Sequence, residues 1–187
     1  AITYKEVFPL IKDNKLWIGV TPMSTDLLFE FPSQSVEDVL QNGKRGSTYR
    51  IVDGRILGRS PSIWFTNLDH NKRHEFMDLV CRYSPEEYPH YDNYDAIEVN
   101  KTADIPCNYP GVMGVPITFL DKYNPEQFEI LGITDRGNEW GLKKKDYTID
   151  DNPKFADLNR RGAILLGGSL VSTYARILIR NKHPQQL

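Results

Sequence analysis

Short apolar runs separated by turn residues dominate the chain, and helical periodicity is confined to a few places. Tyr4, Val7, Phe8 and Ile11 share one helical face, and Thr3 followed by Glu6 has the form of a capping box, so a helix is expected at the start. Pro9 lies inside that stretch and removes a backbone donor, which predicts a kink or two shorter pieces. Leu16-Trp17-Ile18-Gly19-Val20 is a continuous apolar run that fits a strand buried on both faces. From Thr21 to about Gly46 the pattern fades, with only Val36 to Leu40 offering a helical turn. Thr48 to Val52, Asp53-Gly54 and Arg55 to Leu57 then read as strand, turn and strand, because Asp-Gly accepts the positive φ angles of a tight hairpin. Ser62 to Leu68 reads as a third strand.

Asp69 to His74 is a charged connector, and Glu75 to Tyr83 fits neither period well, with a strand as the expectation. Ser84-Pro85-Glu86-Glu87-Tyr88 has the form of a capped turn with proline at its first helical position. Tyr88 to Pro116 is irregular and rich in Tyr, Asp, Asn, Pro and Gly, the composition of a surface that reads a partner. Ile117 to Leu120 and Glu129 to Ile133 read as strands on either side of a turn capped by Asn124. Ala163 to Leu166 and Thr173 to Ile179, placed around Gly167-Gly168, are expected to close the chain as a second hairpin. The fold class is therefore α/β, or mixed α+β for the chain by itself.

A length of 187 residues corresponds to about one domain, and 40% hydrophobic residues are enough for a core that needs no staples. The formal net charge of −2 gives no overall field that marks a binder of nucleic acid or anionic membrane, although charge can still be segregated locally. Cys81 and Cys107 form no disulfide framework, so reduced thiols in a cytoplasm are expected. The apolar runs fall short of the ~20 residues that cross a bilayer, and there is no signal-peptide pattern, so a soluble protein without a membrane partner is expected.

Few candidate motifs for chemistry stand out. His70 and His74 are spaced for one helix face but sit in no metalloprotease pattern, and no metal is expected. Asp92, Asp95 and Glu98 invite a nuclease-type cation site, yet their spacing matches no such motif. Gly167-Gly168 lacks the strand-then-helix context of a dinucleotide fingerprint. The basic clusters are Lys44, Arg45 and Arg50; Lys72 and Arg73; Lys143, Lys144 and Lys145; Arg160 and Arg161; and Arg176, Arg180 and Lys182. With Tyr88, Tyr91, Tyr94 and Tyr109 as exposed aromatics, they would suit phosphate contacts with base stacking.

Several longer strings, in order, carry a resemblance. They are Ala1 to Lys12 with Lys15 to Gly19, Trp64-Phe65-Thr66-Asn67-Leu68-Asp69-His70, Tyr91 to Ile97, Gly111 to Pro125, and Tyr174 to Arg180. Together they resemble the EcoRI-type adenine-specific DNA methyltransferases, with Ser24 to Gly46 and Gly137 to Arg161 the least similar segments. That family moves a methyl group from S-adenosylmethionine to adenine N6, using a glycine-rich cofactor motif and an Asn-Pro-Pro-Phe motif. Neither motif is found here; Asn124-Pro125-Glu126 and Asn152-Pro153-Lys154 are the nearest strings. In the family both motifs lie upstream of the segment matching Ala1. The expectation is a C-terminal portion with no catalytic residue of its own, inactive alone, and with the S-adenosylmethionine site mostly outside this chain.

The resemblance implies that residues 1–68 hold the late strands of a Rossmann-like methyltransferase sheet and that residues 69–187 form a β-rich target-recognition region facing double-stranded DNA. Trp64 and Phe65 are then candidates for an aromatic wall beside the flipped adenine, with Asn67, Asp69, His70, Lys72 and Arg73 at the cleft. Asn93, Asn108 and Arg136 are candidates for reading base edges, and Lys143, Lys144 and Lys145 for phosphates. The implied setting is a bacterial or phage-derived restriction-modification system. Without the upstream half of the polypeptide, the edge at Leu16 to Val20 should drive self-association. A stand-alone DNA-binding or specificity module is the alternative, and a restriction nuclease partner resting on the Asp92 cluster is a third reading.

Overall fold

The computed structural model describes residues 1–135 and 140–186. The elements are α1 (Phe8–Lys12), β1 (Trp17–Ile18), β2 (Leu27–Glu30), α2 (Val36–Asn42), β3 (Tyr49–Val52), β4 (Arg55–Ser60), β5 (Phe65–Thr66), β6 (Ile97–Glu98), β7 (Val112–Pro116), β8 (Phe128–Ile133), α3 (Phe155–Arg160), β9 (Ala163–Leu166), β10 (Ser169–Ser172) and β11 (Arg176–Asn181). Single 3-10 turns occupy Ser33–Ser35, Asn71–His74, Thr102–Asp104 and Ile117–Lys122. The chain divides into two compact units, Ile18–Thr66 and the remainder, Ala1–Trp17 with Asn67–Leu187. This is a mixed α/β fold built from several small sheets. Among the described residues no helix is long and apolar enough to cross a membrane.

The larger unit is organised around β11. Its Ile177-Leu178-Ile179 run is buried on both faces, as a continuous apolar strand requires, and it sits inside a sheet of order β6-β7-β11-β8. β11 runs antiparallel to β7 and β8, whereas the two residues of β6 pair parallel with β7. Into one face goes a buried polar group: Glu98 accepts from Arg176 Nε at 2.8 Å and from the Tyr91 hydroxyl. The Tyr91 ring lies against Gly114 and Gly162, and a Cβ on Gly162 would stand 2.6 Å from its Cε1. Burial and the Glu98 carboxylate push the Tyr91 hydroxyl well above its ordinary pKa.

The smaller unit contains a three-stranded antiparallel sheet of order β2-β4-β3. The Asp53-Gly54 turn joins β3 to β4 with φ angles of 49° and 76°, as the sequence predicts. Asp26 pairs with Arg59 at 2.7 Å and with Arg50, and these cations hold its carboxyl below the usual range. Only Ile18 and Tyr49 are buried apolar residues here, while Val20, Leu28, Phe29, Leu40, Ile51, Val52 and Trp64 are exposed.

Several expected elements differ. Pro9 does not kink a helix but opens α1, where its missing N–H costs nothing, and Thr3 does not cap it. The apolar runs at Leu16 to Val20 and Ser62 to Leu68 yield only the two-residue strands β1 and β5. β2 arises in a stretch read as loop. Glu75 to Tyr83 forms no strand: the Gln127 side chain bonds both Met77 N and Met77 O at 2.8 Å, and Asn108 Oδ1 accepts from Tyr83 N at 2.8 Å. Ile117 to Leu120 is a 3-10 turn following Pro116. The second hairpin pairs β9 with β10 rather than with Thr173 to Ile179. Thr173 ends it by donating both N and Oγ1 to Gly162 O, which releases β11 to the main sheet. Replacing Gly162 by Ala should lower stability by about 1–3 kcal/mol, because the added methyl meets a ring that cannot withdraw; the midpoint of urea unfolding checks it.

Candidate nucleic-acid interface

The charged connector folds onto Trp17. Arg73 lies on the Asn71–His74 turn, with its guanidinium carbon 3.5 Å from the Trp17 ring centroid. It donates to Asn14 Oδ1 at 2.6 Å and to Asp69 Oδ1 at 3.2 Å, and Asn14 takes a positive φ of 56° to present that oxygen. His74 Nε2 is 2.9 Å from Asp69 Oδ2, and hydrogen bonding from His74, followed by its charge and Arg73, holds the Asp69 carboxyl below the usual range. Trp17 Nε1 donates to Leu68 O at 3.0 Å. Arg73 is thus buried and committed to structure rather than offered to a phosphate. Lys72 is half-buried with its ammonium out of solvent and without a hydrogen-bond partner among the described residues. It borders a cavity of about 430 Å³ that Glu75, Asp78 and Phe76 also line. His70 is half-buried, and Asn67 is exposed.

A second group forms around Asn93, which has no exposed surface. Its amide nitrogen donates to Leu158 O at 3.1 Å and Arg161 O at 2.8 Å, and its oxygen accepts from Ala163 N at 2.8 Å. Asn93 therefore cannot read a base, which corrects the sequence expectation; it clamps the end of α3 to the start of β9. Its backbone carbonyl accepts from Lys144 N at 2.8 Å, which brings Lys143, Lys144 and Lys145 to the same junction. Lys143 donates to Asn159 O at 3.0 Å and pairs with Asp146, Lys145 pairs with Asp92, and Arg161 pairs with Asp135. Lys144 and Arg160 are exposed; Lys144 acts on the Asp92 carboxyl at longer range, and neither forms an ion pair among the described residues. Asp92 also accepts from the Tyr147 hydroxyl at 2.6 Å, and Lys145 and that hydroxyl hold its carboxyl below the usual range.

The remaining candidates are dispersed. Asn108 binds Tyr83, whose ring lies 4.5 Å from that of Tyr109. Trp64 is 59% exposed and Phe65 half-buried, both in the smaller unit. Arg136 lies outside the described residues. Tyr88, Tyr91 and Tyr94, read as exposed aromatics, are buried, so they pack the core instead of stacking on bases. The acids Asp92, Asp95 and Glu98 do not converge: Asp92 serves Lys145 and Tyr147, Glu98 serves Arg176 and Tyr91, and Asp95 is exposed. Both Asn-Pro strings are turn caps, with Asn124 Oδ1 bound to Glu126 N and Asn152 Oδ1 to Lys154 N, each at 2.8 Å. The role of Asn159, which exchanges hydrogen bonds with the Tyr147 backbone at 2.7 and 2.8 Å, had no local signal because its partner is distant in the chain.

Replacing Asn93 by Ala should cost about 2–4 kcal/mol, since it leaves the buried Leu158 carbonyl and Ala163 amide and the partly buried Arg161 carbonyl unpaired; an unchanged denaturation midpoint would show that the clamp contributes nothing. Asp92 supplies an acid-sensitive term. Its depressed native pKa makes the Asp92 contribution fully present above the ordinary 3.8 and lost as pH falls through the lower native value. The stability gap between the native chain and Asp92→Asn should therefore narrow on acidification, as pH-dependent thermal unfolding would record.

Comparison with known proteins gives these geometries a family. Residues 1–182 match the family described as adenine-specific methyltransferase EcoRI. The chain is 41% identical over 190 aligned residues to the type II methyltransferase M.EcoRI of Escherichia coli, covering 100% of this chain and 49% of that protein. It is 39% identical to M.MgeORF184P of Mycoplasma genitalium and 37% identical to M.MpnI of Mycoplasma pneumoniae, each over 70% of this chain. These matches take in 41% and 40% of the two relatives, so the chain spans about half or less of the length of the curated proteins it matches. No solved structure matches it. The chain belongs to the EcoRI family of adenine-specific methyltransferases.

Proposed function

We propose that this chain is the C-terminal portion of a site-specific DNA adenine-N6 methyltransferase of a restriction-modification system, supplying target recognition and part of the cleft that receives the flipped base. The observation that carries the reading is the match over nearly the whole chain to methyltransferases about twice as long. In this reading residues 1–68 complete the methyltransferase sheet of the upstream half and residues 69–187 face double-stranded DNA. The exposed apolar side chains of the smaller unit fit that arrangement, since a thin sheet with little core of its own gains stability from a covering layer. Without such a layer the chain should self-associate.

S-adenosylmethionine is the methyl donor that the family implies. The residues present supply no cradle for it among those described. Gly167 and Gly168 stand at a hairpin turn, with open space where a Cβ would point, and not between a strand and a helix. The cofactor site is accordingly assigned to the upstream half, and no step of methyl transfer is routed through this chain. Its own residues bind and orient DNA. Lys143, Lys144, Lys145 and Arg160 meet phosphates, with Lys144 and Arg160 the two that form no ion pair among the described residues. Trp64 and Phe65 are the candidates for an aromatic surface toward an extruded base, and Asn67, Asp69, His70 and Lys72 are candidates for contacts with DNA.

The test is titration of the chain with S-adenosylmethionine by calorimetry beside a gel shift on duplex DNA in low salt. DNA binding without cofactor binding is expected, and tight cofactor binding would overturn the assignment. Lys144→Ala and Arg160→Ala should each reduce the slope of log affinity against log salt by about 1. Sedimentation of the same sample reads the self-association.

A further inference from the structure

The β9–β10 hairpin is held firmly at its root and left bare at its tip. At the root, the Asn93 oxygen accepts from Ala163 N at 2.8 Å, Asp92 N donates to Ala163 O at 2.8 Å, and Thr173 N donates to Gly162 O at 2.8 Å. Ala163 packs with Tyr147 and Leu158, where half-buried Leu170 joins them, and Ile164 packs with Tyr91. Beyond Ile164 the apolar side chains are largely exposed. Leu165 is 61% exposed and Leu166 is 51% exposed, and alternation along the strand places them on opposite faces of the ribbon. Gly167 and Gly168 turn the chain with φ angles of 54° and 81°, and neither would bring a Cβ within 4 Å of anything. The tip is therefore narrow, apolar and rigidly mounted.

Charge is distributed unevenly around this ribbon. Lys144 N is bonded to Asn93 O, and Arg160 ends α3 one residue before Arg161, whose carbonyl the Asn93 amide holds. Neither cation forms an ion pair among the described residues, although Lys144 acts on Asp92, whereas in the cavity of about 840 Å³ bordered by Ile164, Leu165 and Leu166 the acids Glu86, Glu87 and Asp104 outnumber one cation, Arg82. The balance of charge favours a polyanion on the lysine side of the root over that cavity. Such an arrangement orients a phosphate backbone relative to the tip.

We propose that the β9–β10 hairpin is the element that enters the DNA duplex, with Leu165 and Leu166 as an apolar wedge that fills the space vacated by an unstacked base while Lys144 and Arg160 anchor the flanking phosphates. A two-stranded ribbon fits the major groove, and apolar side chains inserted between base steps offset part of the loss of stacking. The wedge acts by positioning DNA and carries no chemistry. It rests on the reading of this chain as the DNA-facing part of the enzyme.

The experiment compares binding of the 187-residue chain to two duplexes of one mixed sequence, one intact and one with a single abasic gap, by fluorescence anisotropy in low salt. A wedge gains where no base has to be unstacked, so the gapped duplex should bind on the order of tenfold tighter. The double substitution Leu165→Ser with Leu166→Ser changes exposed positions and should abolish that preference, so that the variant binds the two duplexes alike. Lys144→Ala with Arg160→Ala should weaken both duplexes alike. Equal affinity of the native chain for the two duplexes, or a preference that survives the leucine substitutions, would overturn the wedge and leave the DNA reading standing. No binding to either duplex would overturn that reading and the wedge with it.

Discussion

A buried peptide group without a partner costs roughly 1–3 kcal/mol, and most of this structure answers to that constraint. Between Asn67 and Gly111 the only strand is the two-residue β6, so ladders cannot satisfy the backbone there. Side-chain amides supply partners there, at Met77 and Tyr83, and do the same at later junctions of the chain. Gln127 supplies a donor and an acceptor to Met77, Asn108 accepts from Tyr83, Asn159 does both for Tyr147, and Asn93 serves three backbone groups from three positions. A carboxamide mimics the edge of a strand, one residue long. This lets the chain run extended or irregular across the sheet without adding strands, and it explains why an asparagine-rich segment can be core.

Ionic groups follow the same rule. The Glu98 carboxylate is buried because Arg176 and Tyr91 both reach it, and Arg73 is buried because Asn14, Asp69 and the Trp17 face meet it together. An isolated charge in either place would be prohibitive. Cations consumed in this way are withdrawn from any role toward a partner. Beside the Asn93 clamp, Lys144 and Arg160 stay exposed outside any ion pair among the described residues, near the root of the β9–β10 hairpin.

Legibility of the chain depended on the range of the interactions. Local rules sufficed for the Asp53-Gly54 hairpin, the Gly167-Gly168 turn, the Ser84 turn, where Ser84 Oγ donates to Glu87 at 3.1 Å, and the asparagine caps at Asn124 and Asn152. Membership of the methyltransferase family was legible too, because ordered strings extend across nearly the whole chain. Within the candidate interface, Lys143, Lys144 and Lys145 were recognisable as cations, but not that Asp146 and Asp92 neutralise two of them. Asn93 and the tyrosines looked like surface readers because polar and aromatic residues in an irregular segment usually face solvent.

By itself, then, the sequence determined the turns, the apolar runs and the family, all of which follow from residue types and their immediate spacing. Tertiary structure alone decided which residues are spent and which are free. Asn93 meets Leu158, Arg161 and Ala163, and Glu98 meets Arg176, across separations of 65 to 78 residues. No periodicity records such meetings. They arise because burial leaves each polar group in need of a partner, and the partner is whichever group the fold brings within reach.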